Sequence, residues 1–180
     1  MTGSSSDSWP AVFLDRDGTL MRDVDYCGDP SKVEVFPQAK EALGRLKQNG
    51  YKLVVITNQS GIGRGYFTEN EYRAVEAEFS RQLGRGLIDA SYYCPALPGS
   101  GSVLRKPGPG MIFKAQRDHR IDLRRSFMVG DKASDIGCGQ NAGVRTILVR
   151  TGYGAEQKNT DADWIARDIT HAVDIILEQQ

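Results

Sequence analysis

The chain has 180 residues, 39% of them hydrophobic, which is enough for one domain with a sizeable core. Its 23 basic and 23 acidic residues cancel, so its net charge suggests no nucleic-acid or membrane partner. No apolar stretch is long enough to span a bilayer, and the three widely spaced cysteines predict no disulfide framework. We therefore expect a reduced, cytoplasmic protein.

The N-terminal segment is polar and rich in serine, so we predict a flexible tail over residues 1–8 and a single domain over residues 9–180. The first predicted strand is Ala11–Leu14, an apolar run too short for a helix. An irregular loop is predicted to follow over residues 21–36. Pro37 is then expected to open a helix that ends before Gly50.

Strand and helix signals alternate along the rest of the chain. Residues 53–57 (LVVIT) are apolar and β-branched, which is typical of a strand buried on both faces. A glycine-rich loop follows over residues 58–65, and Thr68 and Glu71 form a capping-box pattern before the next helix. Further strands are predicted at Ala90–Cys94, at Phe127–Gly130, over residues 146–149 and near Trp164, with helices around Met111, near Ser134 and around Ile169. The alternation predicts an α/β fold, a Rossmann-like doubly wound parallel sheet with helices on both faces.

Two carboxylates end the first predicted strand. If the chain stays extended there, Asp15 and Asp17 point the same way and need a cation or a shared proton between them. A nucleophilic carboxylate beside a second carboxyl that acts as acid and base fits this pattern. A solvated Asp-Gly turn is the competing interpretation, so partners at the other strand ends must decide.

Polar residues follow the other predicted strands as well. Thr57 ends the second strand, Arg105 and Lys106 lie in the loop after the third, and Asp131 and Asp135 follow the fourth. The carboxyl ends of parallel strands meet at one edge of a sheet. Clustered carboxylates there suit Mg²⁺, and a hydroxyl with a lysine suits phosphate. The combination predicts phosphoryl transfer.

In order and spacing, these residues resemble the four motifs of the haloacid dehalogenase-like phosphatase superfamily, carried here by Asp15-x-Asp17-Gly18-Thr19, Thr57, Lys106 and Gly130-Asp131-x-x-x-Asp135. Six segments from Ala11 onward resemble the D-glycero-D-manno-heptose 1,7-bisphosphate 7-phosphatases, to which the histidinol-phosphate phosphatases are close relatives: LDRDGT, VVITNQSGIGRGYFTE, YYCP, RKPGPGM, MVGDKASD and VRTG. The chain has no large insertion between the motifs, where capped members carry lid domains. The resemblance therefore implies a capless fold with an open site.

The resemblance also implies a role for each matching catalytic residue. Asp15 would attack phosphorus and form an aspartyl-phosphate, and Asp17 would act as acid and then as base. Thr57 and Lys106 would hold the transferring phosphoryl group. Mg²⁺ would be held by Asp15, the backbone carbonyl of Asp17 and Asp131.

The same resemblance leaves Asp135 to orient Lys106 or the surroundings of the ion rather than to bind it.

One departure from the family pattern concerns zinc. Many members carry a zinc loop that opens with Cys-x-His and closes with Cys-x-Cys, whereas this chain has Cys94-Pro95-Ala96 and no further cysteine or histidine before Arg105. One thiolate cannot make a tetrahedral zinc site, so we expect no zinc and a shortened loop.

The implied substrate is a small sugar phosphate, and the implied reaction is removal of the 7-phosphate of D-glycero-D-manno-heptose 1,7-bisphosphate. Histidinol phosphate or another small phosphomonoester is the alternative, and a non-catalytic protein that keeps the fold is the competing class. We expect a monomer without nucleic-acid or membrane partners. The residues expected to contact substrate are Asp23, Tyr26, Asn58, Gln59, Ser60, Arg64, Arg105 and Lys132.

Overall fold

A six-stranded parallel sheet forms the centre of the molecule. The computed structural model describes residues 8–158 and 160–179. Its strands are β1 (Ala11–Leu14), β2 (Lys52–Asn58), β3 (Ala90–Cys94), β4 (Phe127–Gly130), β5 (Arg145–Val149) and β6 (Trp164–Ala166). They are ordered β3-β2-β1-β4-β5-β6. The direction of strand addition reverses between β1 and β4, which is where ligands bind in sheets of this kind.

Helices cover both faces of the sheet, which confirms the predicted fold class. They are α1 (Ala39–Gln48), α2 (Ser60–Gly63), α3 (Glu69–Leu83), α4 (Gly110–His119), α5 (Ala133–Ala142) and α6 (Ile169–Glu178), with short 3-10 turns at Pro30–Lys32, Leu123–Arg125 and Gly152–Glu156. Side chains from α1, α3 and α6 pack on one face of the sheet, and those from α4 and α5 pack on the other.

The two hydrophobic cores explain why the strands are apolar at consecutive positions. In β1, Val12 and Leu14 belong to one core and Ala11 and Phe13 to the other, and all four are fully buried. A strand side chain alternates between faces, so a sheet covered on both sides needs apolar residues at every position. The residue after Leu14 is Asp15, where the apolar run of β1 ends.

The local predictions hold with small shifts. The helix expected to open at Pro37 begins at Ala39, and the loop expected over residues 58–65 contains the single turn α2, closed by a hydrogen bond from Arg64 N to Ser60 O. The capping box of Thr68 and Glu71 is present. The predicted tail lies outside the described residues except for Ser8. In the part of the chain that the structure describes, no helix is both long and apolar enough to cross a membrane.

Two helical glycines offer a test of how tightly the layers pack. A Cβ at Gly139 in α5 would lie 2.6 Å from Thr146 Cγ2 and 2.8 Å from Met128 Cβ, whereas a Cβ at Gly44 in α1 would meet nothing within 4 Å. We expect Gly139→Ala to lower the free energy of unfolding by about 1–3 kcal/mol through overpacking. Gly44→Ala should raise it by roughly 0.5–1 kcal/mol because alanine favours the helix. Urea unfolding of both variants measures the difference, and a neutral Gly139→Ala would contradict the close approach of α5 to the sheet.

Candidate active site

A small inner cavity lies at the carboxyl ends of the central strands. Its volume is about 40 Å³, which is room for a few water-sized groups. Asp15 directly follows β1, Thr57 and Asn58 end β2, and the start of α5 follows β4. The cavity is lined by Asp15, Asp17, Thr57, Asn58, Lys106, Lys132, Ser134 and Asp135. The fold therefore brings residues from four predicted segments to one point.

Lys106 lies between two carboxylates. Its Nζ is 2.7 Å from Asp15 Oδ1, 2.7 Å from Asp135 Oδ1 and 2.9 Å from the carbonyl oxygen of Ile56. Asn58 fixes the backbone of Lys106 from both sides, accepting from its N–H at 3.0 Å and donating to its carbonyl at 3.1 Å. Burial lowers the pKa of Lys106, but the two carboxylates outweigh it and hold that pKa above its ordinary value. The ammonium therefore stays charged.

The carboxylates around Lys106 carry more negative charge than one lysine neutralises. Asp15, Asp131 and Asp135 each present an oxygen within 4.8 Å of the other two. Burial raises the pKa of Asp15 well above its usual range, against the opposing effect of Lys106. Burial, followed by the charge of Asp135, raises the pKa of Asp131 to about 6. Crowded carboxylates of this kind need a further cation or a shared proton.

The donor set fits a metal ion. Asp131 Oδ1 is buried and has no hydrogen-bond partner among the described residues, while its Oδ2 accepts from Tyr153 N at 2.8 Å. An unpartnered buried carboxylate oxygen is costly, and a hard divalent cation would satisfy it. The cluster of Asp15, Asp131 and Asp135 can therefore bind a metal ion.

Two glycines allow the chain to pass close to Asp131. A Cβ at Gly18 (φ +88°) or at Gly152 (φ +54°) would lie 2.3 Å from Asp131 Oδ2. Both backbone conformations also favour glycine. The hydroxyl of Thr151 donates to the carbonyl of Gly18 at 2.6 Å and ties the two turns together. The turn after β1 and the turn after β5 therefore both lie against Asp131.

Asp17 lies at the boundary between the inner cavity and a larger outer one. Gln59 Nε2 donates to Asp17 Oδ2 at 2.9 Å and to Thr57 Oγ1 at 2.8 Å. Arg16 also donates to the Asp17 carboxylate. The acid and the hydroxyl predicted from the sequence therefore share one hydrogen-bond network.

The outer cavity has a volume of about 230 Å³. It joins the inner cavity through Asp17, Asn58, Lys132 and Ser134, which line both. The predicted substrate-contact residues that line the outer cavity are Asp23, Tyr26, Asn58, Gln59, Ser60, Arg105 and Lys132. Arg64 is not among the lining residues, and its guanidinium lies 5.8 Å from the centre of the Tyr26 ring.

Charges of both signs line the outer cavity. Lys132 Nζ lies 3.0 Å from Asp23 Oδ2 and 4.6 Å from the centre of the Tyr153 ring, whose hydroxyl donates to Asp25 Oδ1 at 3.0 Å. Arg105 donates to the carbonyl of Ala96 at 2.9 Å, so it also holds the loop that follows β3. The side chain of its neighbour Lys106 points inward, toward Asp15.

The sequence did not identify three contributors to this site. Ser134 lines both cavities from the first turn of α5, and the Tyr153 backbone N–H binds Asp131. Arg16 is fully buried and donates to the Asp17 carboxylate. Of the three, only Arg16 could have been recognised from the sequence. Strand alternation places its charged side chain on the opposite side from Asp15 and Asp17, where it would need a buried partner.

Comparison with known proteins agrees with this geometry. The family described as haloacid dehalogenase-like hydrolase matches residues 12–81, and the family described as HAD-hydrolase-like matches residues 103–172. The chain is 40% identical to the D-glycero-beta-D-manno-heptose-1,7-bisphosphate 7-phosphatase of Salmonella typhi, covering 96% of this chain and 98% of the relative. It is 38% identical to the D-glycero-D-manno-heptose-1,7-bisphosphate 7-phosphatase of Thermosynechococcus vestitus, covering 93% of this chain and 95% of the relative.

Solved structures of phosphatases also superpose on this chain. The D,D-heptose 1,7-bisphosphate phosphatase of B. bronchiseptica, complexed with magnesium and phosphate, superposes with a TM-score of 0.86 at 31% identity, covering 95% of this chain and 99% of that chain. A putative HAD-like phosphatase from Mesorhizobium loti superposes with a TM-score of 0.80 at 34% identity, covering 94% and 85%. The chain therefore belongs to the haloacid dehalogenase-like hydrolases, in the branch that contains the heptose bisphosphate phosphatases.

The burial of Lys106 between carboxylates predicts a large effect on stability. Lys106→Met removes the cation that compensates Asp15 and Asp135, so we expect a loss of about 3–5 kcal/mol in the free energy of unfolding. Adding Asp135→Asn should recover part of that loss because one uncompensated charge disappears. Lys114→Met is the control, since the pair of Lys114 with Asp118 is about half exposed on both sides and should cost no more than ~1 kcal/mol. Urea unfolding in the presence of a chelator compares the three variants, and equal losses for Lys106→Met and Lys114→Met would contradict the assignment.

Proposed function

We propose that the protein is a Mg²⁺-dependent phosphatase that removes the 7-phosphate of D-glycero-D-manno-heptose 1,7-bisphosphate. The observation that carries the proposal is the near-complete match, at about 40% identity, to relatives named for that activity. The inner cavity supports it, because it combines three carboxylates, two hydroxyls and the buried Lys106 in the space where a phosphoryl group would react.

Each step of the proposed reaction is assigned to a group in the inner cavity. A carboxylate oxygen of Asp15 attacks phosphorus, and the bond from phosphorus to the sugar oxygen breaks as the new bond forms. Asp17 gives a proton to the departing sugar oxygen. Asp17 then takes a proton from the water that attacks the aspartyl-phosphate, which restores Asp15 and releases inorganic phosphate. Lys106 and Thr57 bind the phosphoryl oxygens.

The metal ion would be held by Asp15, the backbone carbonyl of Asp17 and Asp131, while Asp135 orients Lys106. When bound, Mg²⁺ supplies positive charge that offsets the crowded carboxylates and the transferring phosphoryl group. Two observations support this assignment, namely the unpartnered Asp131 Oδ1 and the solved neighbour complexed with magnesium and phosphate.

The outer cavity supports a sugar bisphosphate as substrate. Arg105 and Lys132 provide cations beyond Lys106 for a second phosphate, and Asn58, Gln59 and Ser60 offer hydrogen bonds to sugar hydroxyls. Asp23 and Asp25 also line this cavity and favour the alternative substrate, histidinol phosphate, which carries an amine and an imidazole. Lys132 pairs with Asp23 at 3.0 Å, so a phosphate on Lys132 and an amine on Asp23 would each have to compete with that pair.

In the same proposal, the enzyme acts as a monomer with one catalytic domain over residues 9–180, without nucleic-acid or membrane partners. All three cysteines are free and buried, which supports a reducing, cytoplasmic compartment.

Phosphate release from a substrate panel tests the proposed reaction. The panel contains both anomers of the heptose bisphosphate, the heptose 7-monophosphate and histidinol phosphate. We expect kcat/KM for one heptose bisphosphate anomer to exceed that for histidinol phosphate by roughly 10- to 100-fold, the worth of one charged hydrogen bond. Asp15→Asn should abolish turnover while its circular dichroism spectrum matches wild type. Higher kcat/KM for histidinol phosphate would overturn the substrate, and a fully active Asp15→Asn would overturn the nucleophile.

The metal assignment has its own test. Mg²⁺ should raise the melting temperature of the chelated protein, because it binds only the folded site. Asp131→Asn should lose most of that rise, whereas Asp161→Asn, in an exposed carboxylate, should keep it. Elemental analysis should find no zinc, since Cys94 is buried beside the Ser102 hydroxyl at 3.9 Å. Stoichiometric zinc after dialysis, or an unchanged Mg²⁺ response in Asp131→Asn, would contradict these assignments.

A further inference from the structure

A fully buried arginine lies directly behind the carboxylate that we assign as acid and base. Arg16 is 0% exposed, although a buried guanidinium without partners costs several kcal/mol. Its Nε lies 3.2 Å from Asp17 Oδ2, and its Nη2 lies 3.2 Å from Asp17 Oδ1 and 3.0 Å from Asp17 Oδ2. The planar fork of the guanidinium therefore holds both oxygens of Asp17, a geometry that lysine cannot reproduce.

Helix α3 anchors the other end of this guanidinium. Arg16 Nη1 lies 3.5 Å from Glu76 Oε2, which also accepts from the Tyr72 hydroxyl at 2.6 Å. The guanidinium carbon lies 5.5 Å from the centre of the Tyr72 ring. Two residues one turn apart on a helix thus fix the arginine against rotation, and the arginine fixes Asp17.

Gln59 completes the restraint from the side of β2. Its amide nitrogen donates to Asp17 Oδ2 at 2.9 Å, and the Gln59 side chain is itself buried. Asp17 is therefore held by donors from two directions, while 16% of its side chain remains exposed toward the cavities. A substrate oxygen in the cavity can therefore reach the exposed part of the Asp17 carboxyl.

We propose that Arg16 is a positioning residue, anchored on α3 by Glu76 and Tyr72, that aims the Asp17 carboxyl at the oxygen leaving phosphorus. The inference rests on the proposed function, because it assigns Arg16 a part in the same reaction. Proton transfer needs the donor within hydrogen-bond reach in a fixed orientation. The guanidinium also stabilises the carboxylate that remains once the proton has left.

This role predicts a dependence on the leaving group. A sugar alkoxide is a poor leaving group and needs the proton from Asp17, whereas p-nitrophenolate leaves without one. kcat/KM covers the steps up to the first irreversible one, in which the leaving group departs. A loss of positioning should therefore lower kcat/KM for a sugar phosphate much more than for p-nitrophenyl phosphate. A general structural defect would lower both equally.

The experiment compares these two substrates across matched variants. Arg16→Met should lower kcat/KM for the heptose bisphosphate by about 100-fold and for p-nitrophenyl phosphate by no more than about 3-fold, within the range of general acid catalysis. Arg16→Lys should recover part of the loss. Glu76→Gln and Tyr72→Phe should each show the same selectivity at about 3- to 10-fold, since they act through Arg16. Glu69→Gln, an exposed carboxylate on the same helix, is the control and should leave both values unchanged.

A double variant tests the link to Asp17. In the Asp17→Asn background, Arg16→Met should lower kcat/KM by less than about 3-fold further, because the effects of residues that act as a unit are not additive. Equal losses on both substrates, or full additivity with Asp17→Asn, would overturn the role of Arg16. If Arg16→Met does not fold, the Glu76→Gln and Tyr72→Phe ratios decide in its place. If the heptose bisphosphate proves not to be a substrate, the proposed function fails separately, and the same ratio is taken with an alkyl monophosphate that the wild type hydrolyses.

Discussion

The site depends on the charge balance around one buried lysine. Lys106 contacts both Asp15 and Asp135 at 2.7 Å, with Asp131 packed beside them. One cation holds these carboxylates together but does not neutralise them, and burial pushes the pKa of Asp15 and Asp131 upward. A cluster in this state can accept a further cation, and a cation there would offset the charge of a transferring phosphoryl group.

The sheet makes that crowding achievable. Parallel strands end at one edge, so Asp15 after β1 and Asp131 after β4 arrive side by side without any long excursion of the chain. The two apolar cores hold the strands in register, and the glycines at positions 18 and 152 let the flanking turns approach Asp131. Packing energy from the hydrophobic layers thus offsets the cost of gathering like charges at the rim.

Around this centre, the outer cavity is lined mostly by residues in loops, and its side chains carry both charges. Lys132 is paired with Asp23, and the Tyr153 hydroxyl is hydrogen-bonded to Asp25. A ligand must therefore compete with these existing contacts. Such a wall selects by the geometry of its polar groups rather than by apolar area. We therefore expect the inner groups to suit phosphomonoesters in general and the residues of the outer cavity to select among them.

The sequence alone determined the order of strands and helices, the α/β class and the residues that end each strand, because these follow from local periodicity and from turn residues. It also predicted that Asp15, Asp17, Thr57, Lys106 and Asp131 lie at one edge of the sheet, since the carboxyl ends of parallel strands all meet there. Only the tertiary structure decided that Glu76, 60 residues from Arg16, would anchor that arginine behind Asp17, and that the Tyr153 N–H would bind Asp131. Contacts of this kind join residues far apart in the chain and depend on how layers pack, so no local pattern of residues specifies them.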